Sequence, residues 1–236
     1  MRYCQRLLLL LAVASFGLLL GEAAARAQPY YGPAYGPPRG YYRAPAYAAP
    51  YYYGFHTHDG FFMRFNVGPG FLHASETWGG VTDTYSGMGV TFGAAFGGAV
   101  APNLLIYGEV LGTSVIEPDV TFSDGSPGGP INGDMTMGSV GPGVAYYFEP
   151  TNLYLSGTLT FTRISFTDNS SDATSDTNVG IGLSLMVGKE WWVARDWGLG
   201  LAGQMHLATM GDDPAPGYHA RMNALVFSLL FSATYN

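Results

Sequence analysis

The sequence predicts an all-β fold, eight antiparallel strands wound up and down into a closed transmembrane barrel. Three observations predict it. Apolar residues alternate with small uncharged ones over run after run, and a period of two belongs to a strand, whose successive side chains leave opposite faces. The connections between runs alternate between short and long. The 236-residue chain is also apolar without being helical: it is 47% hydrophobic and 11% charged, with 34 glycines. Beyond residue 27 no run reaches the roughly 18 apolar residues a membrane helix needs.

The clearest alternation lies between Val179 and Leu207. Val179, Ile181, Leu183, Leu185 and Val187 share one face, and Gly180, Gly182, Ser184, Met186 and Gly188 share the other. In the return run, Leu199, Leu201, Met205 and Leu207 oppose Gly198, Gly200, Ala202, Gln204 and His206. A protein surface in water carries roughly 25–35% charged residues. Here the face opposite the leucines is built mainly of Gly, Ser and Ala, which suits the inside of a narrow barrel wrapped in lipid. Trp191, Trp192 and Trp197 crowd the connecting turn beside Lys189, Glu190, Arg195 and Asp196. Amphipathic rings and charges of this kind sit at a membrane–water boundary, so these tryptophans and Tyr235 are the expected interface aromatics.

In chain order, residues 1–27 read as a signal peptide. Arg2 and Arg6 form its positive start, Leu7 to Leu20 its apolar core, and Ala25-Arg26-Ala27 a small-residue cleavage site. Residues 28–60 are low in complexity and rich in Tyr, Pro and Gly, an expected disordered periplasmic linker whose tyrosines offer contacts to a cell-wall or envelope partner. Within it, His56-Thr57-His58-Asp59 supplies two imidazoles and a carboxylate but no third fixed ligand, so no metal site is assigned. Residues 61–236 form the barrel. Its strands are expected at 61–74, 86–100, 104–114, 135–148 and 153–166, then in the two runs just described, and finally at 220–235.

Residues 101–103, 149–152 and 193–196 are tight turns, whereas about 75–85, 115–134, 167–177 and 210–219 are long links. Short turns on one rim and long loops on the other is the arrangement of outer-membrane barrels, with the short turns in the periplasm. Both chain ends then lie on the periplasmic side. Gly68-Pro69-Gly70 and Gly141-Pro142-Gly143 fall within strands, where proline donates no ladder bond, and are expected to mark bulges or bends. Residues 198–203 match the GxGxxG dinucleotide fingerprint, but the pattern continues as a strand instead of opening a helix, so the match is spurious.

Arg64 and Glu109 share the inward parity of their strands. They are expected to pair across the lumen, with Asn66, Tyr107, Gln204 and His206 completing a polar network, because a buried charge needs a partner. The long links are acidic, with Glu117, Asp119, Asp124, Asp168 and Asp172 among their residues. Hard cations prefer carboxylate oxygen, yet no link has the ligand spacing of a dedicated calcium site. A net charge of −7 argues against nucleic acid as a partner, and Cys4, the single cysteine, excludes a disulfide scaffold. His73, His206 and His219 lie toward the outer rim with Ser75, Ser86, Glu76 and Asp212. No spacing forces a nucleophile, base and orienting acid together. The expectation is therefore no catalytic residues, no cofactor and no enzyme, with lipid acyl hydrolysis as an alternative.

The last stretch is the most specific. Leu225, Phe227, Leu229, Phe231, Ala233 and Tyr235 alternate to the end and resemble the C-terminal signal read by the bacterial barrel-insertion machinery, although Asn236 follows the terminal aromatic. Residues 61–236 resemble the small eight-stranded outer-membrane β-barrels, the family of the OmpA membrane domain, OmpX and OmpW. The resemblance implies a bacterial outer-membrane protein whose partners are membrane lipids, lipopolysaccharide and the insertion machinery. The expected role is non-catalytic, in envelope integrity or surface interaction through the acidic loops; the alternative, which resemblance to OmpW allows, is a narrow channel for small or hydrophobic solutes.

Overall fold

A computed structural model of the chain describes residues 58, 60–212 and 219–236. The strands are β1 (Phe61–Trp78), β2 (Val81–Ala101), β3 (Leu104–Ile116), β4 (Asp119–Thr121), β5 (Pro127–Pro130), β6 (Gly133–Phe148), β7 (Leu153–Asp168), β8 (Thr174–Asp176), β9 (Gly180–Trp192), β10 (Trp197–Asp212) and β11 (Ala220–Tyr235). Eight of them form a ring, β1-β2-β3-β6-β7-β9-β10-β11, closed by the antiparallel pairing of β1 with both β2 and β11. Closure leaves no unpaired edge, so the ladder groups of the wall are satisfied from within. The short strands β4, β5 and β8 pair above the ring, β4 with β2, β5 with β4 and β8 with β7.

Each wall strand divides its side chains between two environments. On β1 the outward run is Phe61, Met63, Phe65, Val67, Pro69 and Phe71; beyond it come His73, Ser75 and Thr77, in register with Ser86, Thr84 and Thr82 of β2. The apolar outward run of β11 extends from Tyr235 back to Leu225, and that of β10 from Trp197 to Leu207. These lengths match the nine to eleven residues a tilted strand needs to cross the hydrocarbon. Leu229, Phe231 and Leu159 on this surface are 71%, 66% and 66% exposed. Dissolved in water, such a belt would aggregate. The opposite parity is buried and forms the core inside the ring.

The wall departs from the sequence expectation in two places. Residues 75–85 are not a loop. β1 and β2 pair as far as Trp78 and Val81, and the turn is the two residues Gly79 and Gly80, both at positive φ (55° and 86°). A Gly-Gly pair meets the demand of a tight hairpin for two left-handed residues, and the alternation of Ser75, Thr77, Thr82 and Thr84 continues the strands into water. Nor do the two Gly-Pro-Gly segments shift the register. Val67↔Phe231 and Gly70↔Ser228 keep one frame, as do Val140↔Phe161 and Gly143↔Thr158. A Cβ on Gly68 would run into the Leu229 carbonyl, and one on Gly141 into that of Leu159. These glycines permit close approach of neighbouring backbones, and the ladder passes proline without a bulge. The links expected at 115–134 and 167–177 contain β4, β5 and β8. The continuation of residues 198–203 as part of β10 removes the dinucleotide motif.

Candidate functional site

The candidate site is the lumen, and it is layered. The inward parity of β11, read from the rim of the tight turns, is Thr234, Ser232, Leu230, Ser228, Val226, Ala224 and Met222. That of β7 is Tyr154, Ser156, Thr158, Thr160, Thr162 and Ile164. Polar residues thus occupy the middle, and an apolar cap of Leu72, Val115, Met135, Met137, Ile164, Met210, Met222 and Val226 fills the half toward the long links. A second cluster, including Phe62, Leu105, Tyr107, Tyr147, Tyr154, Met186 and Leu230, fills the half toward the tight turns. The lumen is therefore far more apolar than the Gly, Ser and Ala of β9 and β10 suggested. Bulky inward residues come from β1, β3, β6 and β7 and also from β9, β10 and β11, as Met186, Met210, Met222 and Leu230 do, and the small ones beside them leave room.

Arg64 is completely buried within the lower cluster. Its guanidinium carbon lies 4.8 Å from the Tyr154 ring centroid, 5.5 Å from that of Phe62 and 5.6 Å from that of Tyr107. Nη2 is 3.5 Å from Ser156 Oγ, whereas Nε and Nη1 have no protein partner. Glu109 accepts a hydrogen bond of 2.5 Å from Thr158 Oγ1, and Tyr107 Oη is 3.1 Å from the same hydroxyl. The expected Arg64–Glu109 ion pair is not formed. An ion pair within 4 Å does join Arg163 to Asp176, near the far end of β7. Arg64 and Glu109 share a register row with Ala95 between them. The aromatic rings hold the guanidinium, while Thr158 reaches Glu109 over the glycines of the intervening β6.

The other expected lumen residues are buried at higher levels. Asn66 is enclosed without a protein partner for either amide atom. Gln204 Nε2 donates to Ser184 Oγ at 3.0 Å. His206 Nε2 is 3.1 Å from Thr160 Oγ1, in a belt of hydroxyls that includes Thr91, Thr113, Ser139, Thr162 and Ser228. The structure brings Arg64, Tyr107 and Glu109 into one neighbourhood, and places Gln204 and His206 among separate partners.

Glu190 is the functional group that reasoning from the sequence missed. It is not a boundary charge at the turn but a buried lumen residue, accepting 2.6 Å from Thr234 Oγ1 and 3.2 Å from Tyr147 Oη. Extending the β9 alternation by one inward step, from Gly188 to Glu190, would have found it. His58 is buried at the same end, with its ring stacked 3.6 Å from that of Tyr147 and its Nε2 2.8 Å from Asn152 Oδ1. Of the expected interface aromatics, Trp191 is outward, with Lys189 Nζ 5.6 Å from its ring centroid. Trp197 packs edge-on to Tyr235 at 5.4 Å. Trp192 lies 5.2 Å from His58, at the mouth. Residues 1–57, where the signal peptide and most of the linker are expected, lie outside the described residues, as do Asp59 and 213–218.

On the rim of the long links the loop carboxylates are used locally. Asp124 is held below the usual carboxylate range by the Ser126 hydroxyl and by the Ser126 N–H, which donates to it at 2.8 Å. Asp168 accepts from Ser170 N–H and Ser171 Oγ, both at 2.8 Å. No group of three or more metal-ligating side chains occurs among the described residues. His73 faces outward and His206 inward, so they cannot share a site. Arg163, a further charge within a wall strand, points outward above the apolar run of β7, where Asp176 of β8 pairs with it at 3.0 Å.

A closed antiparallel ring with a hydrocarbon belt outside and polar groups inside satisfies its backbone in lipid, and bacterial outer membranes are where such barrels reside. The chain is an outer-membrane β-barrel protein. No family model matches its sequence, and no curated protein does. Among solved structures it is similar to Neisserial surface protein A, at 18% identity over 72% of this chain and 96% of that one, with a TM-score of 0.46. It is also similar to the outer membrane protein OprG from Pseudomonas aeruginosa (12% identity, 76% and 98%, TM-score 0.45). A third similar structure is that of the outer membrane protein AlkL in lipid bilayers (15% identity, 84% and 97%, TM-score 0.46). Identities this low bear on fold alone, and the assignment stands on the geometry of the wall.

Proposed function

We propose that this barrel is a non-catalytic envelope protein, acting in outer-membrane integrity or surface interaction through its acidic extracellular face. The observation that carries the reading is the filling of the lumen at two levels. The methionine-rich cap closes the extracellular half, and Phe62, Tyr107, Tyr147 and Tyr154 crowd the periplasmic half. Eight strands enclose an interior just wide enough for side chains to fill, and here large side chains occupy it. Lipopolysaccharide and membrane lipids are the surroundings this surface fits. The run from Leu225 to Tyr235 is the segment proposed for the insertion machinery, and residues 28–60 for a periplasmic cell-wall partner.

The test is conductance of the purified chain in planar bilayers, paired with detergent sensitivity of cells lacking it. Electrically silent bilayers and leaky, detergent-sensitive cells are expected. Sustained unitary steps would overturn the reading in favour of a narrow channel. That second reading has one observation behind it, the buried polar atoms of Arg64, Asn66 and Glu109 that have no protein partner. Uptake of a hydrophobic tracer into reconstituted vesicles tests whether such a channel serves apolar solutes. An unchanged lipid A mass spectrum on expression is the expected result against acyl hydrolysis.

A further inference from the structure

Beyond the hydrocarbon belt, the outward parity of the wall turns polar without turning acidic. Past Leu225 on β11 come Asn223 and Arg221, past Leu207 on β10 come Thr209 and Gly211, and past Phe71 on β1 come His73, Ser75 and Thr77. The register joins them into one patch: Asn223 pairs with Ser75 and Thr209, and Arg221 with Thr77 and Gly211. The carboxylates of the same stretches, Glu76 and Asp212, have the inward parity. Arg221 is therefore a cation on a surface of hydroxyls, an amide and one imidazole. It is exposed, and it has no hydrogen bond or ion pair with any described residue. Arg163, the outward arginine of β7, differs, because Asp176 meets its charge at 3.0 Å.

Beside Arg221 the wall has a step. The register of β9 with β10 ends at Ile181↔Thr209, whereas that of β10 with β11 runs on to Asp212↔Ala220. The step is a groove of about 530 Å³ whose lining includes Ile181, Thr209, Gly211 and Arg221. Gly211 keeps its floor low: a Cβ there would stand 3.4 Å from the Asn178 side-chain nitrogen. The groove thus offers a guanidinium and a hydroxyl at one end and, through Ile181, opens onto the apolar face of β9 at the other. Arg221 lies four residues beyond Leu225, about 14 Å along the strand and roughly 10 Å along the normal of a strand tilted by about 45°. The polar region of one leaflet is about 5–7 Å deep, and the long arginine stem can bend back toward it. That is the depth of lipid phosphates.

We propose that this groove binds a phosphorylated glycolipid of the outer leaflet, the lipid A part of lipopolysaccharide, with Arg221 as the phosphate ligand and the acyl chains laid over Ile181, Leu207 and Leu225. A guanidinium presents a planar fork of donors that matches two phosphate oxygens at once. The hydroxyls of Thr209, Ser75 and Thr77 and the Asn223 amide suit the sugar beside that phosphate. Continuity of the groove with the hydrocarbon belt favours a lipid over a free ion, since only a ligand with chains uses both surfaces. The choice of leaflet rests on the reading that the long links face the outside.

Native mass spectrometry of the folded full-length chain in detergent micelles, titrated with diphosphoryl lipid A, tests the site. The wild-type chain should retain the lipid, and Arg221→Gln should weaken binding by about tenfold, the weight of one charge-assisted hydrogen bond. Arg221→Lys keeps the charge without the fork and should fall between them. Arg163→Gln should bind as the wild type does. Lipid A stripped of its phosphates should bind weakly, and equally to the wild type and Arg221→Gln. Retained heat-modifiable migration shows that each variant is folded. Equal affinity of the wild type and Arg221→Gln for diphosphoryl lipid A would overturn the proposal. So would displacement by inorganic phosphate, which marks a free-ion site, or equally tight binding of phosphatidylglycerol, which marks a site for any lipid phosphate. Sidedness is read separately, by labelling Ser123→Cys in a Cys4→Ser background with an impermeant maleimide on intact cells. An unreactive thiol there would overturn the outward placing of the links, whereas a reactive thiol with failed lipid A binding would overturn the groove alone.

Discussion

Replacing Leu229 by arginine tests the orientation on which the whole assignment depends. Leu229 is outward, 71% exposed and central in the apolar run Leu225–Tyr235 of β11. Its register partners are Gly203 of β10 and, by the frame of the flanking pairs, Pro69 of β1. If that surface meets hydrocarbon, the guanidinium is placed near the bilayer midplane, at a cost of about 2–4 kcal/mol. That cost lowers the folded-to-unfolded ratio by roughly 30- to 900-fold. Asn223 lies on the same strand and the same face beyond the apolar run, and Asn223→Arg should cost only about 0–1 kcal/mol. In a water-soluble barrel, both changes would lie within about 0.5 kcal/mol of neutral, as surface substitutions do. Equilibrium guanidinium titration of the chain in phosphatidylcholine vesicles, followed by tryptophan fluorescence and heat-modifiable migration, measures both. Indistinguishable midpoints for Leu229→Arg and Asn223→Arg would refute the lipid-facing wall.

Two further substitutions probe the interior and the backbone. Glu190→Ala strands the hydroxyls of Tyr147 and Thr234, each without its acceptor; it should destabilise by about 2–5 kcal/mol in the same titration, and Glu190→Gln by less because an acceptor oxygen remains. Gly141→Ala drives a methyl into the Leu159 carbonyl and should cost about 1–3 kcal/mol. Gly138, three residues earlier on the same strand and with open space around it, should accept alanine with no measurable change in the temperature at which the folded band is lost.

Much of the wall was legible because alternation is a local signal. The predicted final strand, 220–235, coincides with β11 (Ala220–Tyr235). The predicted long link at 75–85 failed because its polar residues on both faces hid a strand pair outside the lipid. Gly79-Gly80 was the turn signal that polarity masked. The inward parity of Arg64 and Glu109 was readable in the same way, but their partners were not. Which hydroxyl reaches Glu109, and which rings surround Arg64, depends on strands brought together only by the curvature of the ring. His58 lies beyond any periodic run, so no pattern could assign it a place in the mouth.

By itself the sequence determined which residues face out and which face in, how many strands cross and on which side the longer links fall, because these follow from a two-residue period and from the solvent each face prefers. The tertiary structure alone decided the chemistry of the interior: an arginine held by aromatic faces instead of a carboxylate, the hydroxyls that reach Glu109 and Glu190, and a histidine seated at the mouth. Those outcomes depend on distances across the lumen, and the relative register of eight strands sets them, which no single strand encodes.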